Sequence, residues 1–176
     1  MADGVFGVEV VTPEQSLVAG GATSVVLATS DGALTVLDGH TPLIGDVVPC
    51  ELKVEQPDGP LLRLAVHGGF IQVDTSPGAA EGLAEGDGPL PGLSTRVTVL
   101  AGIAELAEEI DVPRAETARD AATQRVNELR SGRGPVAAAT AAAEGEAADE
   151  GDVALAEAEG ALTRAELRLA VAAGGS

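Results

Sequence analysis

A chain of 176 residues has room for one medium domain, or for a small domain with an appendage. Hydrophobic residues make up 45%, but with two Phe and no Tyr or Trp the core must be built from Val, Leu and Ile, which suits a β-sandwich. A net charge of −18 argues against nucleic acid and direct adhesion to an anionic lipid surface, because both need clustered Lys and Arg, and a single cysteine, Cys50, excludes an internal disulfide.

In chain order, the opening Met1-Ala2-Asp3-Gly4 lacks the basic flank and apolar centre of a signal peptide. No apolar run approaches the roughly 20 residues that span a bilayer. A cytoplasmic location is therefore expected, and service to a membrane machine would go through another protein. From Val5 to about Leu100 the apolar period is near two, as in Leu62, Leu64 and Val66, or Val97 and Val99. Turn signals recur at Gly20-Gly21, Asp31-Gly32, Asp58-Gly59-Pro60 and Gly68-Gly69. Short strands at this spacing predict a sandwich or flattened barrel over residues 1–101. Within it, Gly68-Gly69 is expected to close a hairpin between two alternating strands. Thr75–Thr95, rich in Gly, Pro, Ala and acid, has no alternation and is expected to be a mobile surface loop.

Beyond Ala101 the period becomes helical. Asp111 is placed to cap a helix with Pro113 in its first turn, running to Arg130 and stopped by Ser131-Gly132-Arg133-Gly134-Pro135. Residues 131–152 read as a long connection of Ala, Gly and acid, partly helical by its Ala content but mainly a solvated linker. A second helix is predicted from about Val153 to Ala173. Its seam is Leu155, Ala158, Leu162, Ala165, Leu169 and Ala172. Residues 102–176 thus read as an antiparallel helical hairpin.

Catalytic machinery is missing. There is no phosphate loop, and Lys53 is the only lysine; His40 and His67 stand in separate turns, and no Gly-x-Ser-x-Gly elbow occurs. The adjacent acids Glu108 and Glu109 point in different directions and read as solvated surface. The chain is expected not to be an enzyme by itself. His40, in Gly39-His40-Thr41-Pro42-Leu43, has two readings: it touches a partner, or it bonds its own turn backbone and holds it.

Taken together, Val8–Glu14, the turn Asp38–Gly45, the Gly-Gly strand pair and Arg164–Ala172 resemble the epsilon subunit of the rotary F-type ATP synthase. The resemblance implies a β-sandwich followed by a helical hairpin. It also implies a non-catalytic central-stalk subunit that couples gamma to the ring of c subunits and regulates ATP hydrolysis through its helices. The implied partners are gamma, the c-ring, and the alpha/beta head when the hairpin extends. The implied location is peripheral, on the cytoplasmic face of the membrane, without direct insertion. By the same resemblance Ser30, Asp31, Gly32, His40 and Pro42 would face the rotor ring or gamma, although Ala33 stands where the family often has an acid.

A nucleotide signature is also matched by Glu105 and by Ile110-Asp111-x-x-Arg114-Ala115, with Arg164 and Arg168 on the last helix. Two arginines at i and i+4 share a helical face, and guanidinium forks bind phosphate well. One family arginine is replaced by Ala121, with Arg119 two residues earlier. The structural reading of the same residues is equally direct: Asp111 caps, Ile110 packs, and the arginines are solvated. No tightly bound cofactor is expected, and regulatory ATP is the candidate ligand. The competing functional classes are a free-standing ATP-sensing module using the same arginines, and a small hydrolase, which the missing catalytic groups disfavour.

Overall fold

Branched side chains at alternate positions generate most of the first unit. The computed structural model describes residues 4–76, 84–85, 88–89, 94–131 and 147–174, and they fall into two compact units divided between Glu109 and Ile110. In the first unit the strands are β1 (Phe6–Val11), β2 (Ser16–Ala22), β3 (Ser24–Thr29), β4 (Gly32–Val36), β5 (Leu43–Val47) and β6 (Cys50–Glu55). They are followed by β7 (Leu62–Val66), β8 (Gly69–Asp74), the two-residue β9 (Ala84–Glu85) and β10 (Gly88–Pro89), β11 (Arg96–Ala101) and β12 (Ala104–Leu106).

Hydrogen-bonded neighbours run β12-β7-β6-β3-β5-β8-β11-β1-β2, with β4 on β3. The step from β3 to β5 rests on one residue pair, Thr29 with Val47, so the path folds there into two sheets. The inward positions Val8, Val10, Ile71, Val97 and Val99 on one sheet, and Val25, Val36, Leu52, Val54, Leu64 and Val66 on the other, are wholly buried in a shared core. Each such side chain stabilises the fold by roughly 1.5–3 kcal/mol. Of the two phenylalanines, Phe6 is in this core and Phe70 is on the surface. On the outer face of β6 and β7, Glu51 pairs with Arg63 and Lys53.

Five expectations change. Gly68-Gly69 does not close a hairpin: β7 pairs with β6 and β12, whereas β8 pairs with β5 and β11. The glycine pair carries the chain between sheets. Gly69 adopts φ +151°, and a Cβ there would lie 2.1 Å from the Leu100 carbonyl oxygen, so only glycine fits the crossing. Gly20-Gly21 is not a turn but part of β2, opposite Val8 and Gly7.

The first unit also runs past Ala101, because β12 adds an edge strand to β7 and a 3₁₀ turn follows at Ala107–Glu109. Thr95, expected in the loop, is instead wholly buried at the start of β11. Of the rest of that stretch, Ala84–Glu85 and Gly88–Pro89 pair as a short ladder, and the other residues of 77–93 lie outside the described ones.

The second unit contains α1 (Val112–Arg130) and α2 (Ala147–Ala172). The α1 boundaries agree with the sequence. The Asp111 carboxylate accepts the Arg114 N–H at 3.0 Å, Pro113 lies in the first turn, and Ser131 ends the helix. α2 begins earlier than Val153, at Ala147, and continues through Gly151 despite the low helix propensity of glycine. The remainder of the 131–152 connection, from 132 to 146, lies outside the described residues. Arg130 reaches Glu159 at 2.6 Å, and Arg119 feels the field of Glu166, which makes the helices antiparallel. Ala115, Ala122 and Val126 on α1, and Ala158, Ala165 and Val171 on α2, are buried. No helix among the described residues is long and apolar enough to cross a membrane.

Candidate functional site

Two turns flank β5. Ser30, Asp31 and Gly32 form the exposed tip of the β3–β4 hairpin, and the Ser30 N–H donates to the Asp46 carbonyl of β5 at 3.1 Å. The second turn, residues 37–42, feeds directly into Leu43, the first residue of the same strand. Between the two, Ile44 is 77% exposed.

In the second turn Gly39 takes φ +75°, and the His40 N–H donates to the Leu37 carbonyl at 3.1 Å. His40 is half-buried and its Nδ1 lies 2.8 Å from the Thr41 carbonyl, so this nitrogen donates and Nε2 is the ring's acceptor when the imidazole is neutral. That contact accords with the reading in which the histidine bonds its own turn. Pro42 is exposed beside it.

A feature missed by sequence reasoning lies on the outer face of the sheet that contains β1, β8 and β11. Phe70 in β8 and Leu100 in β11 stand directly opposite one another, 55% and 50% exposed. With Val11, Pro13 and the Gly68-Gly69 crossing they line an apolar groove of about 600 Å³. An exposed phenylalanine in a chain with only two is informative, because large apolar side chains seldom cluster outside a core without covering a partner. The alternation did contain the signal: Ile71 and Val73 point inward, so Phe70 between Gly69 and Ile71 must point out.

The nucleotide-signature residues divide between the units. Glu105 belongs to β12 of the first unit; the others belong to the helical hairpin. There Ile110 and Ala115 are buried, and Asp111 spends one carboxylate oxygen on the helix cap. Arg114 and Arg164 are exposed and Arg168 is half-buried. The antiparallel pairing brings the first turn of α1, with Asp111 and Arg114, to the same end of the hairpin as Arg168, and Arg164 lies one turn further in. A Cβ on Gly160 would stand 3.3 Å from Arg164 Nη1, so that guanidinium lies back along its own helix. Arg119, two residues before Ala121, is taken by Asp120 at 2.7 Å; that hydrogen bond and charge hold its pKa above the ordinary value.

No group of His, Cys, Asp and Glu among the described residues is arranged to hold a metal. The Cys50 thiol is buried, and desolvation pushes its pKa up, which disfavours the thiolate a nucleophile needs.

Residues 5–77 match the family model described as the ATP synthase, Delta/Epsilon chain, beta-sandwich domain. The chain is 35% identical to the ATP synthase epsilon chain of Streptomyces griseus over 130 residues, covering 70% of this chain and 90% of that protein. It is 36% identical to the ATP synthase epsilon chain of Desulforudis audaxviator over 126 residues, covering 72% and 77%. Among solved structures, a chain of the cryo-EM structure of the Euglena gracilis mitochondrial ATP synthase (OSCP/F1/c-ring, rotational state 1) superposes with a TM-score of 0.62 at 18% identity. That superposition covers 93% of this chain and 78% of the other, and it shows a shared fold.

Proposed function

The chain belongs to the ATP synthase epsilon-chain family, and from that premise we propose that this non-catalytic subunit joins the gamma shaft to the membrane ring and governs ATP hydrolysis through its helices. The observation that carries the coupling role is the apolar groove of Phe70 and Leu100. Phe70 and Leu100 stand opposite one another on adjacent strands and line one groove, and a paired apolar surface of this kind fits a cover supplied by another subunit. Gamma is the proposed occupant. The β5-flanking turns, with Ser30, Asp31, Gly32, His40 and Pro42, are the proposed contact to the c-ring. The subunit is then peripheral on the cytoplasmic face of the membrane, held there by protein contacts.

Regulation is assigned to the hairpin. Its seam is mostly alanine and valine, so each element buries little area, and docked and extended arrangements of the helices differ by only a few kcal/mol. Regulatory ATP is the proposed ligand, its phosphates taken by Arg114, Arg164 and Arg168. Support comes from the placement of Arg114 and Arg168 at the same end of the antiparallel hairpin, with Arg164 one turn further in, in a protein of net charge −18.

The test is co-purification of the full chain with gamma and ring subunits, comparing wild type with Phe70→Ser/Leu100→Ser. Both positions are half-exposed, so the variant is expected to keep its circular dichroism while gamma is lost from the recovered complex. Recovery of gamma in unchanged proportion would remove the groove from the rotor interface.

A further inference from the structure

Thr95 is the one polar side chain fully withdrawn from solvent among the described residues, and its partners lie on a remote turn. The Thr95 hydroxyl accepts the Gly39 N–H at 3.0 Å and donates to Asp38 Oδ1 at 3.0 Å. Its carbonyl accepts the Gly7 N–H at 2.9 Å, which locks its backbone into the start of the β1–β11 ladder. Asp38 is held from the other side as well: a Cβ on Gly4 would fall 2.3 Å from Asp38 Oδ2, so the chain entering β1 lies against the carboxylate. The turn thus gripped carries Gly39 at φ +75°, His40, Thr41 and Pro42.

From this geometry we infer that Thr95 is a positioning residue for the 38–42 turn, holding it in its binding conformation before the partner arrives. The inference rests on the rotor reading above, in which that turn meets the ring. A clamp of this kind is not needed to close the core, because Leu37, Gly39, Thr41 and Pro42 are all exposed. It selects one backbone path for an exposed loop. A turn already ordered does not have to be ordered on association, so the clamp acts on affinity.

Three full-length variants test this with two readouts: amide exchange at Gly39 and His40 by NMR, and affinity for the cognate rotor (gamma and ring prepared without this chain). Thr95→Val keeps the shape but removes both hydroxyl bonds. It is expected to speed exchange at Gly39 and to weaken rotor binding roughly tenfold, the effect of having to order about one residue on binding. Thr95→Ser restores both. Val54→Ala, buried in the opposite sheet, lowers the melting temperature without changing rotor affinity. Should Thr95→Val unfold the protein, Asp38→Ala removes the acceptor from an exposed residue and is expected to give the same two changes.

Wild-type affinity in Thr95→Val or Asp38→Ala overturns the assignment, as does an equal loss of affinity in Val54→Ala. A wild-type chain that does not bind the rotor at all overturns the rotor reading, and this assignment with it.

Discussion

Replacing Gly69 by Ala should be the most damaging single-methyl change in the sandwich, and its cost can be worked out against its neighbours. The added Cβ would lie 2.1 Å from the Leu100 carbonyl oxygen, 2.9 Å from Ala101 Cα and 3.0 Å from the Leu100 carbonyl carbon. All three are backbone atoms of the paired strand, so no rotamer change relieves the overlap. Two costs combine: roughly 1–3 kcal/mol for a non-glycine residue at φ +151°, and roughly 1–3 kcal/mol for displacing packed backbone.

Gly68→Ala is the matched comparison. It shares a positive φ, +116°, but its Cβ meets only the Val47 carbonyl oxygen at 3.5 Å, so about 1–3 kcal/mol of conformational strain is expected alone. Gly102→Ala meets nothing within 4 Å and lacks a positive φ; it should be neutral, or stabilising by about 0.4–1 kcal/mol through the unfolded chain. With no Trp or Tyr for fluorescence, calorimetry is the suitable assay, and it also separates the sandwich transition from that of the hairpin. A loss of about 2 kcal/mol lowers the midpoint of a domain this size by roughly 8–16 °C. Equal midpoints for Gly69→Ala and Gly68→Ala would refute the claim that close approach of β11, rather than backbone strain alone, requires glycine at the crossing.

Four further outcomes are expected. Joining Thr75 to Ser94 by a short Gly-containing turn should leave the sandwich folded, whereas a deletion that also takes Thr95 should lower its melting temperature, because the bonds to Asp38, Gly39 and Gly7 go with it; circular dichroism melts of the two variants decide this. The Cys50 thiol, raised above its ordinary 9.0 by burial, should resist alkylation near pH 8 until the chain unfolds. A raised acid contributes stability that is full below the unfolded pKa and lost as pH rises through the folded one, so the contribution of this thiol should be lost only at alkaline pH, and modification at the unfolded rate under native conditions would contradict the burial. Asp111→Ala should lower the hairpin's midpoint by the value of one helix cap, about 1 kcal/mol, and millimolar ATP should raise the wild-type midpoint by mass action but not that of Arg164→Ala/Arg168→Ala; an unchanged wild-type midpoint, followed by NMR of the hairpin amides, would return both arginines to simple surface charge.

Much of this chain was readable from residues that answer to their own neighbours. The alternation of Val and Leu, the Asp31-Gly32 hairpin tip, the Asp111 cap with Pro113 behind it, and the stop after Arg130 all reappear in the fold, since each depends on backbone conformation over a few residues. What failed was pairing. Gly68-Gly69 looks the same in sequence whether it closes a hairpin or passes the chain to another sheet; the choice depends on β5 and β11, whose strands lie far away along the chain. Ala104–Leu106 is too short to announce itself and becomes a strand only because β7 offers an edge. Gly20-Gly21 enters a strand because β1 lies beside it, with Gly7 facing Gly21. Thr95 shows no local sign of its role, since its two partners stand 56 and 57 residues earlier. Local steric preference and solvation act between near neighbours and so can be read along the chain, while edge pairing, buried polar contacts and an uncovered apolar face come into being only when distant segments meet.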